Sequence, residues 1–174
     1  MKSIQKGNKG EREVANMFKR EGIEAKRVPR SGAPSYDNGS KIWVGDIWFP
    51  KNRNNFAIEV KLNNKWSGKI TDLINPNSWI RKVFADLLKK CKDHNKIPIL
   101  IFRRNHDTWL AMYIEEDILI SVNPEDWEKE ISSSFNIILK YKVKDNLWVS
   151  VSTAEFLVKY ISYIMKNHPL ISQE

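Results

Sequence analysis

Asp46, Glu59 and Lys61 are the residues of this chain whose types and spacing lend themselves to chemistry. Lys61 stands two positions after Glu59, so on an extended strand the two side chains project from one face. Asp46 precedes them across a polar reversal, Pro50-Lys51-Asn52-Arg53-Asn54-Asn55, which is rich in turn formers and holds no apolar residue. The flanks of that reversal, Ile42 to Phe49 and Phe56 to Val60, are rich in β-branched and aromatic residues and predict two paired strands. If they pair antiparallel, Asp46 is carried across the sheet to Glu59. Two carboxylates and a lysine then share a patch suited to holding a hard divalent cation and stabilising a phosphoryl transition state. Mg²⁺ takes oxygen ligands in near-octahedral geometry and keeps several waters. Asp46 and Glu59 are candidate ligands, and the backbone carbonyl of Val60 lies between Glu59 and Lys61. A cation there lowers the pKa of a bound water and neutralises charge building on phosphorus. Lys61 either orients that water or acts as a fixed cation on the pentacovalent state. The plainer alternative makes Asp46 a strand-edge carboxylate and Glu59 with Lys61 a surface ion pair. Position favours chemistry, because charged groups on strands expected to bury their side chains need a partner or a function.

The elements that must position these residues follow from periodicity. From Glu11 to Glu21, Val14, Met17 and Phe18 recur at helical spacing, and Gly22 stops the helix. Residues 1 to 10 are polar and read as a loose basic lead-in. Ile23 to Val28 predicts a short strand, and residues 29 to 41 a loop with two Pro, two Gly, three Ser and an Asp-Asn-Gly turn signal. Entered through Lys26, Arg27 and Arg30, that loop suits either phosphate contact or a plain surface. Residues 62 to 76 are polar and basic. Beyond them Ile80, Val83, Phe84, Leu87, Leu88 and Cys91 form one apolar face, so Trp79 to Asp93 predicts a helix, with Ser78 as its cap. Residues 99 to 102 and Trp109 to Ile114 predict two further strands. Phe135 to Val143 and Leu147 to Val151 predict a second hairpin. Ser152 and Glu155 have capping-box spacing for a last helix bearing Phe156, Leu157, Tyr160, Ile161 and Ile164.

Composition narrows the partners. A chain of 174 residues fits one domain with a real core, and 41% hydrophobic content with 7 Trp excludes a disordered polymer. The net charge of +8 suits a polyanion, nucleic acid before an anionic membrane, although a lysine-rich surface alone also accounts for it. One cysteine, Cys91, excludes a disulfide framework and a thiolate metal cluster. No signal-peptide or membrane-length apolar run is present, so a cytoplasmic, unsecreted protein is expected. Trp66, in a basic segment, is suited to stacking on DNA or to covering the sheet edge. Arg103 and Arg104, at a turn after a strand, are candidates for phosphate or ordinary turn residues.

Gly45-Asp46 with Glu59-Val60-Lys61 resembles the PD-(D/E)XK nuclease motif, with Gly45 where the motif has proline. Lys6-Gly7, Glu11-Arg12 and Ser31-Gly32, in order ahead of Asp46, resemble the archaeal-type Holliday junction resolvases and their phage relatives. The resemblance covers roughly residues 6 to 110. It implies an α/β, restriction-endonuclease-like mixed sheet flanked by helices, here with a C-terminal hairpin-helix elaboration. The expected organisation is a single unit, a catalytic core over about 6–114 and an extension over about 115–174. It also implies a homodimer cutting four-way DNA with Mg²⁺, for which Mn²⁺ is expected to substitute, in a bacterial, archaeal or phage-infected cell. Glu11 then joins the metal site from its helix, and Ser31 approaches DNA and assists the reaction. The expected DNA contacts are Lys6, Arg12, Arg27, Arg30, Ser31, Lys65, Trp66 and Lys69. Residues 62 to 78 exceed the family's usual connection and the C-terminal extension exceeds a minimal resolvase, so nuclease is the broader expectation. The alternatives are a same-fold nuclease acting on duplex DNA in restriction, homing or repair, and a DNA-binding protein without catalysis.

Overall fold

Strand β3, Phe56–Leu62, is the axis of the molecule, and its alternation decides what covers each side. Phe56, Ile58 and Val60 bury in one cluster, while Ala57 buries in the other. Glu59 and Lys61 share the Ala57 face by the two-residue period. The structure is a computed structural model that describes residues 3–28, 44–50, 55–63, 66–104, 106–114, 118, 137–144 and 147–167. The expected loop 29–41, the start of the expected strand at 42–43, and most of the reversal at 51–54 lie outside the described residues.

Seven strands form one sheet in the order β1-β2-β3-β4-β5-β7-β6. They are β1 (Lys26–Arg27), β2 (Ile47–Trp48), β3, β4 (Ile97–Arg103), β5 (Leu110–Ile114), β6 (Ile137–Lys144) and β7 (Leu147–Thr153). β2 pairs antiparallel to β3 with Ile47 opposite Ile58, as the apolar flanks of the reversal predict. β3 and β4 run parallel, with Lys61 beside Phe102. The remaining neighbours are antiparallel, so the sheet is mixed.

Helix α1, Ser3–Arg20, covers one face together with a C-terminal helix, α4, Ala154–Asn167. α1 begins eight residues before the expected Glu11, within the stretch read as loose. Gly10 explains how that early part sits on the sheet: a Cβ there would meet Trp109 at 3.2 Å and Leu62 at 3.3 Å. The helix ends as predicted at Gly22, whose φ of +79° lets its N–H reach the Lys19 carbonyl while Ile23 N–H reaches that of Phe18.

The other face carries α2, Ile70–Ile74, and α3, Trp79–Lys92. Ser78 caps α3 as expected, its hydroxyl accepting from Arg81 N–H at 3.4 Å. α2 lies inside the segment read as polar and basic, and buries only Leu73. The cap of α4 is Thr153, whose hydroxyl accepts from Phe156 N–H at 3.4 Å. The expected cap, Ser152, is instead a buried strand residue paired with Ala111 and Ile137. Among the described residues, no helix is long and apolar enough to cross a membrane.

Candidate active site

Gly45 sets up the site. Its φ is +95°, and a Cβ there would lie 2.7–3.0 Å from backbone atoms of Ile58. Only glycine permits that approach. Asp46 follows directly and is fixed three ways: its N–H donates to Ile58 O at 2.6 Å, its carbonyl accepts from Val28 N–H at 2.9 Å, and its Oδ2 accepts from Val60 N–H at 2.8 Å. The carboxylate just ahead of β2 is thus tied to the backbone of β3 next to Glu59. Lys61 Nζ donates to Glu59 Oε1, closing the second contact of the patch.

The electrostatics agree with the placement. Burial, and then the charge of Glu59, push the Asp46 carboxyl up to about 7, against the opposing pull of the Val60 N–H and of Lys61. Burial pulls the Lys61 ammonium down, yet Glu59, Asp46 and Glu11 together outweigh it and raise its pKa above the ordinary value. Glu11 is buried on α1, and its charge is felt at both Asp46 and Lys61. Its carboxylate accepts from Arg27 Nε at 2.6 Å, and Arg27 Nη2 donates to Asn8 Oδ1 at 2.5 Å.

Asp46, Glu59, Lys61 and Glu11 therefore share one electrostatic neighbourhood, with Arg27 on Glu11. Among the described residues no three His, Cys, Asp or Glu side chains converge as a ready-made metal cluster. The donor chemistry nonetheless fits a hard divalent cation: two carboxylate residues, one of them destabilised as an anion by burial and by the other, have most to gain from one.

The remaining expected contacts divide. Arg12 and Lys69 are exposed. Lys6 lies on α1, its side chain outside the described set, and Arg30, Ser31 and Lys65 lie outside the described residues altogether. Trp66 is only 6% exposed and packs edge-on against Phe102, with ring centroids 5.1 Å apart, so it serves the core and offers DNA no open face. Arg103 turns toward α1: its Nη2 donates to Glu13 at 2.6 Å and its guanidinium lies 4.5 Å over the Trp109 ring. Trp109 Nε1 also donates to Glu13, at 3.1 Å. Sequence reasoning missed this cluster and the Arg27–Glu11 pair because neither has a local signal; Arg103 and Glu13 are 90 positions apart.

A family model described as "Phage putative PDDEXK endonuclease" matches residues 2–164. The chain belongs to that PDDEXK family. The matched span runs from α1 through the acidic patch and nearly to the end of α4, so the family pattern takes in the C-terminal elements as well as the motif. Protein D14 of Escherichia phage T5 is 30% identical over 123 residues, which is 68% of this chain and 74% of that protein. Among solved structures, Archaeoglobus fulgidus Hjc, a Holliday junction resolvase from an archaeal hyperthermophile, is similar with a TM-score of 0.39 and 12% identity, covering 90% of this chain and 99% of that one.

Proposed function

We propose that this PDDEXK-family protein is a metal-dependent endonuclease that hydrolyses phosphodiester bonds of DNA at the Asp46–Glu59–Lys61 patch. The observation that carries this reading is the buried Asp46 carboxylate, pinned to the Val60 N–H beside a Glu59 that is itself paired with Lys61. Asp46, Glu59 and the Val60 carbonyl are the residues to hold Mg²⁺, with Mn²⁺ as substitute, and Glu11 is the further candidate ligand on α1. When bound, the cation supplies an activated water and offsets negative charge on the phosphoryl oxygens. The protein's own contribution is placement. The three hydrogen bonds of Asp46 hold its carboxylate before any substrate arrives, which lowers the reorganisation the reaction needs. Lys61, paired with Glu59, is placed either to orient that water or to act as a fixed cation toward the developing charge.

The DNA we infer is branched, and the working form a homodimer. Support for both comes from the resemblance of Lys6-Gly7, Glu11-Arg12 and Ser31-Gly32 to the junction resolvases. Residues 1–174 are inferred to act as a single unit, in the cytoplasm of the host cell. The deciding assay offers four-way junctions, flaps and linear duplex side by side with Mg²⁺. Asp46→Asn and Glu59→Gln are expected to abolish cleavage while DNA binding stays within about threefold, and Lys61→Met to lower kcat by about 10²–10³. No metal-dependent cleavage of any DNA by the unmodified protein would overturn the nuclease. Equal cutting of linear duplex would leave the nuclease standing and remove the junction assignment.

A further inference from the structure

Two connections meet at the carboxyl ends of the parallel pair β3–β4, the end of an α/β sheet where ligands commonly sit. One runs from β3 to α2 and the other from β4 to β5, and Asn63 N–H donates to the Arg103 carbonyl at 3.2 Å where they begin. Between them lies a cavity of about 380 Å³, lined by the apolar Trp66 and Leu110 and the polar Ser67, Arg104 and Thr108, with Gly68 and Asp107. Its position relative to the acidic patch follows from register. Lys61 pairs with Phe102 and Phe102 with Leu110, so the three residues project from one face of the sheet. Strands are spaced about 4.8 Å apart, which puts Leu110 about 10 Å from Lys61. Successive phosphates of one DNA strand lie at least the axial rise of about 3.4 Å apart, so that distance spans at most three nucleotides.

The cavity wall is built, not slack. Ser67 donates to Asp72 Oδ2 through its N–H at 3.2 Å and its hydroxyl at 2.6 Å, and that hydroxyl accepts from Lys69 N–H at 3.1 Å. Arg104 Nη1 donates to the Ser67 carbonyl at 2.9 Å, and Arg104 Nε stands 3.4 Å from Asp107 Oδ2. A guanidinium has five N–H donors. These two contacts leave it three, on a side chain that is 45% exposed and already held in place. Gly68, with φ +83°, lies against the guanidinium: a Cβ there would touch Arg104 Nη1 at 3.5 Å.

The chemistry on offer selects the ligand. A nucleobase wants an aromatic face, and the buried Trp66 has none to give. A guanidinium fork with the Thr108 hydroxyl beside it matches phosphate oxygens, the groups that position a protein on DNA. We propose that this cavity is a subsite for a phosphodiester of the DNA strand within three nucleotides of the bond being cut, with Arg104 as its principal contact and Asp107 as the residue that orients Arg104. This deepens the nuclease reading, on which it rests for the location of the cut.

The test is a binding measurement on Glu59→Gln protein without metal, carried out with Arg104 intact and with Arg104→Gln. The DNA is the one cut fastest by the unmodified protein or, if none is cut, the one bound tightest, with each phosphate in turn replaced by an uncharged methylphosphonate. With Arg104 present, one replacement is expected to weaken binding five- to tenfold, and in the Arg104→Gln protein that same replacement has no effect. The slope of log affinity against log salt is expected to fall by about 1 in the Arg104→Gln protein. Because Arg104 is half-exposed, an unchanged melting temperature confirms that the fold is kept. An unchanged salt slope with every phosphate still sensitive overturns the subsite, as does a sensitive phosphate more than three nucleotides from an observed cut. A protein that cuts no DNA sinks the nuclease separately, while the methylphosphonate series still decides whether Arg104 holds a phosphate.

Discussion

At the scale of single residues, Asp46 is the group whose state changes most with conditions. Its carboxyl is pushed up to about 7 by burial and by Glu59, against 3.8 for the free side chain. Between those two pH values the folded protein holds a proton that the unfolded chain has released, so the contribution of Asp46 to metal-free stability is greatest at the acid end and falls as pH rises. Each unit of pKa displacement is worth about 1.4 kcal/mol, enough to read as a shift of several degrees in melting temperature. Asp46→Asn keeps an oxygen for the Val60 N–H and removes the titration. Its expected result is a flatter stability profile from pH 4 to 7.5, measured by thermal unfolding in chelator. Mg²⁺ should act in the opposite sense, because ligation needs the ionised form. The rise in melting temperature on adding Mg²⁺ is expected to be larger at pH 8 than at pH 6 and absent in Asp46→Asn. A Mg²⁺ effect that ignores both pH and the substitution would remove Asp46 from the ligand set.

At the scale of elements, the site depends on how two pieces of chain are pressed onto β3. The first is the turn into β2. Gly45 occupies the place of the motif's proline, but its φ of +95° is closed to proline, whose ring fixes φ near −65°. Restoring the motif by Gly45→Pro is therefore expected to destroy activity. Gly45→Ala should cost about 2 kcal/mol or more in denaturant unfolding, since its Cβ would press on the Ile58 backbone. The second piece is α1, which carries Glu11. Gly10 packs on Trp109 and Leu62, and Glu13 takes hydrogen bonds from Arg103 and Trp109. Glu13→Gln and Arg103→Gln should each destabilise by about 1.5–3 kcal/mol, and the double variant by clearly less than their sum, as a double-mutant cycle will show. These two pieces also divide what the sequence could tell. The alternation of β3, the apolar face of α3 and its Ser78 cap are local patterns and were legible. Gly45's left-handed turn and the Glu13–Arg103–Trp109 cluster are products of contact between distant segments, and no window of sequence contains both partners. The cap of α4 fell one residue late for the same reason: pairing with Ala111 and Ile137 keeps Ser152 in the sheet.

At the scale of the whole molecule, the motif residues and the C-terminal elements share one sheet. The resemblance to junction resolvases rests on roughly residues 6 to 110, which invites the view that the rest is an accessory. Packing argues otherwise. β7 lies against β5, all five of whose residues are buried. Val149 and Val151 complete the cluster under α3, while Leu157, Ile161 and Ile164 of α4 complete the one that seats α1. Burying a side chain of this size is worth about 1.5–3 kcal/mol, so these five alone come to about 7–15 kcal/mol, as large as the entire stability of an ordinary protein, about 5–15 kcal/mol. A chain ending at residue 114 keeps Glu11, Asp46, Glu59 and Lys61 yet loses the support for α1 and leaves β5 as an apolar open edge, which favours aggregation. It is expected to aggregate on expression or, if recovered, to bind a hydrophobic dye and unfold without a cooperative transition. Mg²⁺ should then give it little thermal stabilisation, because the helix that brings Glu11 to Asp46 has lost the α4 side chains that share its core cluster. A soluble, cooperatively folding 1–114 fragment that still cleaves DNA would show that the sheet beyond β5 is dispensable to the site.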